Sequence, residues 1–183
     1  MLAKRMADPS WIPILPTPRM IRVLLLDDST FDRARIRRLS QRTALALDLE
    51  EVSSIAQLDR LVAEAHFDVA LIDYRLPEGD GIEALNVLRR QKHARAVGKV
   101  MITGDGGPRT ADKALKAGCD AYLAKEDMTA DALRHAILDA IAAARVTGGD
   151  RMPVGASAPS GLSPERAARL RARIGGIIKD HFH

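Results

Sequence analysis

A chain of 183 residues, 46% hydrophobic and 28% charged, is long enough to bury one core of ordinary domain size with tails to spare. Its single cysteine, Cys119, excludes an internal disulfide and a cysteine-built zinc cage, and its 3% aromatic content leaves few platforms for stacking on nucleic-acid bases. The formal charge of +4 resides in the ends, where residues 145–183 carry seven Lys/Arg against three Asp/Glu; the slightly acidic middle does not read as a DNA-binding face.

Residues 1–19 hold four of the nine prolines, which fix φ and remove backbone donors, so this stretch is predicted to be an extended arm. Its apolar segment Trp11–Leu15 is too short and too broken by proline for a signal peptide. No apolar run approaches the roughly 18 residues needed to span a bilayer. From Ile21 the pattern changes. Ile21–Leu26 is a nearly continuous apolar run, the mark of a strand buried on both faces. Ser29 can cap a helix in which Phe31, Ala34, Ile36, Leu39 and Thr43 to Leu45 recur at helical spacing. Strand and helix then alternate: strand Leu49–Ser53, helix Ser54–Ala65, strand Asp68–Ile72 ending at Asp73, helix Ile82–Gln91, strand Lys99–Thr103, helix Pro108–Ala117, strand Ala121–Ala124 and helix Thr129–Ala144. Five β-α units with short loops imply an α/β fold with a doubly wound parallel sheet, (βα)5, over residues 20–145.

Residues 146–162 are rich in Gly, Pro, Ser and Ala and read as a linker. Residues 163–183 then carry a predicted helix, with Ser163 as cap, Pro164 in its first position and Glu165 in its first turn. Ala167, Leu170, Ile174, Ile177 and Ile178 form an apolar side and Arg166, Arg169, Arg171 and Arg173 a basic one. Three uses are open for it: packing on its own domain, contact with a partner or a second copy as a homodimer, and lying on an anionic membrane. Gly175-Gly176 weakens the amphipath and disfavours the membrane. The terminal His181 and His183 are two ligands on a tail and are assigned no site.

The chemistry gathers at the strand ends. In an open parallel sheet, ligands bind off the carboxyl ends of the strands, where residues far apart in sequence converge. Here the first strand ends in Asp27-Asp28, the third in Asp73, the fourth in Thr103 and the fifth in Lys125. Three carboxylates so close repel, so a cation must neutralise them or protons must stay on. A hard divalent ion such as Mg²⁺, held by carboxylates and phosphate oxygens, suits the group. Lys125 supplies a point charge and Thr103 a hydroxyl for a phosphoryl group, and Asp73 can act as a carboxylate nucleophile.

These residues resemble the receiver domain of two-component response regulators. The matching stretches are Val-Leu-Leu-Leu-Asp27-Asp28-Ser, Leu-Ile-Asp73-Tyr-Arg-Leu-Pro77-Glu-Gly-Asp80-Gly81, Met-Ile-Thr103-Gly104 and Ala-Gly-Cys-Asp-Ala-Tyr122-Leu-Ala-Lys125. The resemblance implies a flavodoxin-like fold with sheet order 2-1-3-4-5, phosphorylation at Asp73, and Mg²⁺ held by Asp27, Asp28, Asp73 and the backbone carbonyl of Arg75. It implies that Thr103 moves toward the phosphoryl group while Tyr122 rotates inward, remodelling a binding face. One departure stands out: receivers commonly have proline after the lysine, often cis, where this chain has Glu126.

The expected protein is a stand-alone, cytoplasmic response regulator. It takes phosphate from a sensor histidine kinase or phosphotransfer protein, loses it by autodephosphorylation, and contacts a downstream protein target. The residues after Arg145 are too few for a helix-turn-helix reader, so no DNA is expected as partner. A small-molecule phosphatase using an Asp nucleophile is the rival, but such enzymes resemble an Asp-x-Asp pattern after strand one, which is missing here. A receiver that works without phosphate, as a binding module, is the third reading, and the intact acidic set argues against it. Cys119 reads as a small apolar filler, and the Trp11 arm as a segment that docks on the domain or on a partner.

Overall fold

The computed structural model describes residues 19–91, 94, 96–104 and 108–148. The predicted docking of Trp11, the C-terminal helix and the two terminal histidines lie outside them. The elements in chain order are β1 (Ile21–Leu26), α1 (Thr30–Ser40), β2 (Leu47–Val52), α2 (Ile55–Glu64), β3 (Val69–Asp73), β4 (Arg75–Leu76), β5 (Gly79–Asp80), α3 (Gly81–Arg90), β6 (Gly98–Thr103), α4 (Pro108–Lys116), β7 (Ala121–Ala124) and α5 (Ala130–Gly148). Five strands form one parallel sheet in the order β2-β1-β3-β6-β7, which is the expected 2-1-3-4-5 arrangement. Strands β4 and β5 form a separate two-residue antiparallel pair.

Side chains alternate across a strand, so each buried strand feeds two cores. Val23, Leu25, Val69, Leu71, Val100 and Ile102 pack on one face with Ile36 of α1 and Leu133, Ile137 and Ile141 of α5. Leu24, Leu26, Ala70, Ile72 and Met101 pack on the other with Leu58 and Val62 of α2 and Leu85 and Leu88 of α3. Burial on both faces explains the unbroken apolar runs of the central strands. The sheet and helices approach closely where side chains are small: a Cβ at Gly98 would lie 2.6 Å from the backbone of Ala140 in α5.

The helix starts follow the capping rules. Ser29, Ser54 and Asp80 each accept a hydrogen bond from a backbone N–H in the first turn of α1, α2 and α3. Four sequence expectations are corrected. Helix α1 stops at Ser40 instead of running on to Leu45, because Thr43 Oγ1 donates to the Ser40 carbonyl and Ala44 takes a left-handed φ of 57°, turning the chain back toward β2. Phe31, assigned to the apolar side of that helix, is 70% exposed. Strand β2 begins at Leu47, and α5 continues to Gly148, past the boundary expected at Arg145.

Candidate functional site

The register of the sheet decides which strand-end residues meet. Leu26 of β1 is aligned with Ile72 of β3, so Asp27 falls beside Asp73; Thr103 of β6 is aligned with Ala124 of β7, so Lys125 is the next residue out. The Lys125 backbone N–H donates to the Thr103 carbonyl at 2.7 Å, extending the β6–β7 ladder by one step. Parity then sorts the side chains. Asp27, Asp73 and Lys125 continue the series Val23-Leu25, Val69-Leu71 and Ala121-Leu123, all on the face shared with α1 and α5. Thr103 and Tyr122 share the opposite parity with Met101, and Tyr122 packs on the α2–α3 core. The acidic pocket and the Thr103–Tyr122 pair therefore sit back to back at one edge.

The centre of the pocket is the Lys125 ammonium. Its Nζ lies 2.9 Å from Asp27 Oδ2, 2.9 Å from Asp73 Oδ2 and 2.8 Å from Asp32 Oδ2. Asp27 is fully buried, Asp73 is 4% exposed, and Thr103 is fully buried. The remaining oxygens are also held: Asp27 Oδ1 accepts from the Ser29 N–H at 2.8 Å, and Asp73 Oδ1 accepts from the Arg75 N–H at 3.3 Å. Arg33 of α1 donates to the Asp27 carbonyl at 2.6 Å while its guanidinium pairs with Glu51 of β2 at 3.4 Å. Glu51 in turn takes a two-pronged hydrogen bond from Arg37. Behind Asp73, Gly81 opens α3 with its N–H on the Tyr74 carbonyl, and a Cβ there would lie 2.7 Å from the Asp73 carbonyl oxygen. Only glycine lets α3 start this close to the strand end.

Burial is the main influence on the two inner carboxyls. It raises both Asp27 and Asp73 above the ordinary carboxylate range, against the hydrogen bonds and charge of Lys125, which lower them. Lys125 is itself partly desolvated, which alone would lower it, yet its three carboxylate partners win and hold it above its usual value. One ammonium among four carboxylates leaves the pocket strongly negative. Single carboxylate oxygens of Asp27, Asp28 and Asp73 lie within 4.8 Å of one another, with Asp28 exposed at the mouth. That donor set, all oxygen and short of positive charge, fits a hard divalent cation.

Asp27, Asp28, Asp73 and Lys125 thus converge as the strand-end reasoning requires, while Thr103 ends β6 buried on the opposite parity. Arg75 follows directly, with its backbone against Asp73. Glu126 in place of proline does not displace the lysine: no peptide bond among the described residues is cis, and Lys125 reaches all three carboxylates. The sequence reading passed over Asp32. Its only local signal is an acid in the first turn of a serine-capped helix, ordinarily explained by the helix dipole alone.

A five-stranded doubly wound sheet with this acidic edge is the flavodoxin-like receiver fold. The model of the response regulator receiver domain family matches residues 23–138, more than half of the chain, and the chain belongs to that family. Chemotaxis protein CheY1 of Helicobacter pylori is 29% identical over 105 residues, covering 57% of this chain and 85% of that protein. The gliding motility regulatory protein of Myxococcus xanthus is 31% identical over 137 residues, 73% of this chain but 17% of the relative, so this chain spans a small part of that longer protein. Among solved structures, the receiver domain of a Pseudomonas aeruginosa sensor histidine kinase, with magnesium coordinated in its active-site cleft, superposes with a TM-score of 0.60 at 24% identity, covering 68% of this chain and 99% of that one.

Proposed function

We propose that Asp73 is the phosphoacceptor of a two-component relay, taking a phosphoryl group from the phosphohistidine of a sensor histidine kinase or phosphotransfer protein. The observation that carries this reading is the Asp73 carboxylate itself, buried at the strand edge beside Asp27 and hydrogen-bonded to Lys125 at 2.9 Å. A carboxylate oxygen of Asp73 attacks phosphorus; the new O–P bond forms as the P–N bond breaks, and the leaving imidazole keeps the electron pair and takes a proton from solvent. Water later attacks the acyl phosphate, returning the carboxylate and releasing inorganic phosphate. No outside substrate is turned over.

Asp27, Asp28 and Asp73, with the Arg75 backbone carbonyl, are the residues that would hold Mg²⁺. The ion would neutralise charge on the transferring oxygens. The chain's own share is positioning. Lys125 donates to a phosphoryl oxygen, and the rigid β1–α1 junction keeps Asp27 in place. The Thr103 hydroxyl donates to another phosphoryl oxygen. Its movement is coupled to Tyr122, remodelling the face formed by α4, β7 and α5 for a downstream protein target. The relay places the protein in the cytoplasm. No helix among the described residues is long and apolar enough to cross a membrane.

The test is intact mass after incubation with a small phosphodonor and Mg²⁺, for wild type and Asp73→Asn. A gain of one phosphoryl group by the wild type alone is expected. No gain from this donor or from candidate kinases would overturn the proposal, and turnover of a phosphate ester would favour a phosphatase. Comparing oligomeric state with and without residues 146–183 tests the homodimer; equal states in both would remove that helix as a dimerisation element.

A further inference from the structure

Asp32 does something that a first-turn acid has no need to do. Its backbone N–H is already tied to the Ser29 cap at 3.2 Å, which satisfies the helix start. Its side chain turns instead to Lys125, 93 residues away, and makes the shortest of the three contacts to that ammonium. An ammonium has three N–H donors and no acceptor. All three are in use, on Asp27, Asp32 and Asp73. Any further oxygen that Lys125 is to serve must displace one of them.

We propose that Asp32 is a positioning residue that holds Lys125 in reserve, so that an incoming phosphoryl oxygen gains its hydrogen bond from Lys125 by displacing Asp32. This rests on the phosphoacceptor reading of Asp73. Three observations single out Asp32 as the partner that yields. Asp27 is buried and its second oxygen is held by the Ser29 N–H, so it cannot turn away to water. Asp73 carries the phosphoryl group itself. The Asp32 side chain is 22% exposed, against 1% for Asp27 and 6% for Asp73, so only its carboxylate regains solvent when the ammonium leaves. Asp32 is also held in place without Lys125, because the Ser29 cap and the Arg33 bond to the Asp27 carbonyl lock the first turn of α1 to β1. It therefore remains as a competitor and adds negative charge to a site that must receive an anion.

The two effects of that charge have opposite signs, which gives the test. Asp32→Asn removes one negative charge near the cation site and weakens the competition for Lys125. Mg²⁺ affinity of the full chain, read by calorimetry, is expected to fall severalfold. At saturating Mg²⁺, affinity for beryllofluoride, a phosphoryl mimic read by fluorine NMR, is expected to rise about tenfold, the equivalent of one charge-assisted hydrogen bond. Phosphorylation by a small donor rises with it. Asp32→Glu, which keeps the charge, returns both affinities toward wild type. Unchanged affinities in Asp32→Asn, or a joint loss of both, would overturn the proposal, since damage to the helix start would weaken the two together. Should the wild type accept no phosphoryl group while Asp32→Asn still shifts the two affinities oppositely, the relay reading falls and the competition for Lys125 stands.

Discussion

Replacing Lys125 with methionine keeps most of the side chain's volume and removes its charge. In the metal-free protein this leaves Asp27 and Asp73, both buried, facing each other with Asp32 nearby and no compensating cation. Breaking a buried ion pair by deleting one partner costs about 3–5 kcal/mol, because the other charge is left desolvated. For a domain of this size that corresponds to a drop of roughly 10–20 °C in melting temperature. The deficit should depend on pH with a definite sign. Burial already raises Asp27 and Asp73 in the folded protein above the unfolded value of 3.8, and Lys125 is what lowers them. Without it they rise further. Between the unfolded and folded values the native state binds more protons than the unfolded one, so stability falls as pH rises through that window. Acidification from neutral pH toward 3.8 should therefore narrow the gap between Lys125→Met and wild type, and so should millimolar Mg²⁺, which replaces the lost positive charge. Thermal melts of both proteins at several pH values, with and without Mg²⁺, measure this. A Lys125→Met protein as stable as wild type, or a deficit indifferent to both pH and Mg²⁺, would show that the lysine acts by packing its stem and that the electrostatic account is wrong.

The same reasoning makes Asp73→Asn stabilising in metal-free buffer, by about 1 kcal/mol, since it removes one of two buried like charges and leaves Lys125 two partners; chemical denaturation reads it, and Mg²⁺ should stabilise this variant less than wild type. Gly98→Ala should cost about 1–3 kcal/mol, because its Cβ would meet the Ala140 backbone 2.6 Å away and neither β6 nor α5 can yield alone; a melting temperature equal to wild type would contradict that close approach. Cys119 is buried and its thiol is pushed up to about 12, by burial and then by the Asp120 charge. At pH 8 an alkylating reagent should leave it unmodified in the native protein and label it fully in denaturant, a contrast that mass spectrometry resolves.

The legibility of the site was uneven for a physical reason. Asp27, Asp28, Asp73, Thr103 and Lys125 could be found because each ends a strand with its own local signature of apolar residues, and a parallel sheet brings all its carboxyl ends to one edge. The helix that follows Ser29 was harder. Its apolar spacing continued through Thr43 to Leu45, whereas the chain turns at Ala44 so that Leu45 and Leu47 can pack under the α1–α5 core. Phe31 matched a helical stripe and yet faces solvent, since the inward side of α1 runs through Asp32, Ile36 and Ser40 at four-residue steps and Phe31 stands one position off it.

By itself the sequence determined the order of elements, the two-faced burial of the central strands and the five polar residues at their ends, because these depend on patterns within a few residues. Tertiary structure alone decided how those residues are shared out. The register set Asp27 beside Asp73, and strand parity put both with Lys125 on the α1–α5 face, leaving Thr103 and Tyr122 behind them. The angle at which α1 leaves β1 brought Asp32 within 2.8 Å of a lysine 93 residues away. A contact of that kind depends on where two elements sit relative to each other, which no local pattern in the sequence records.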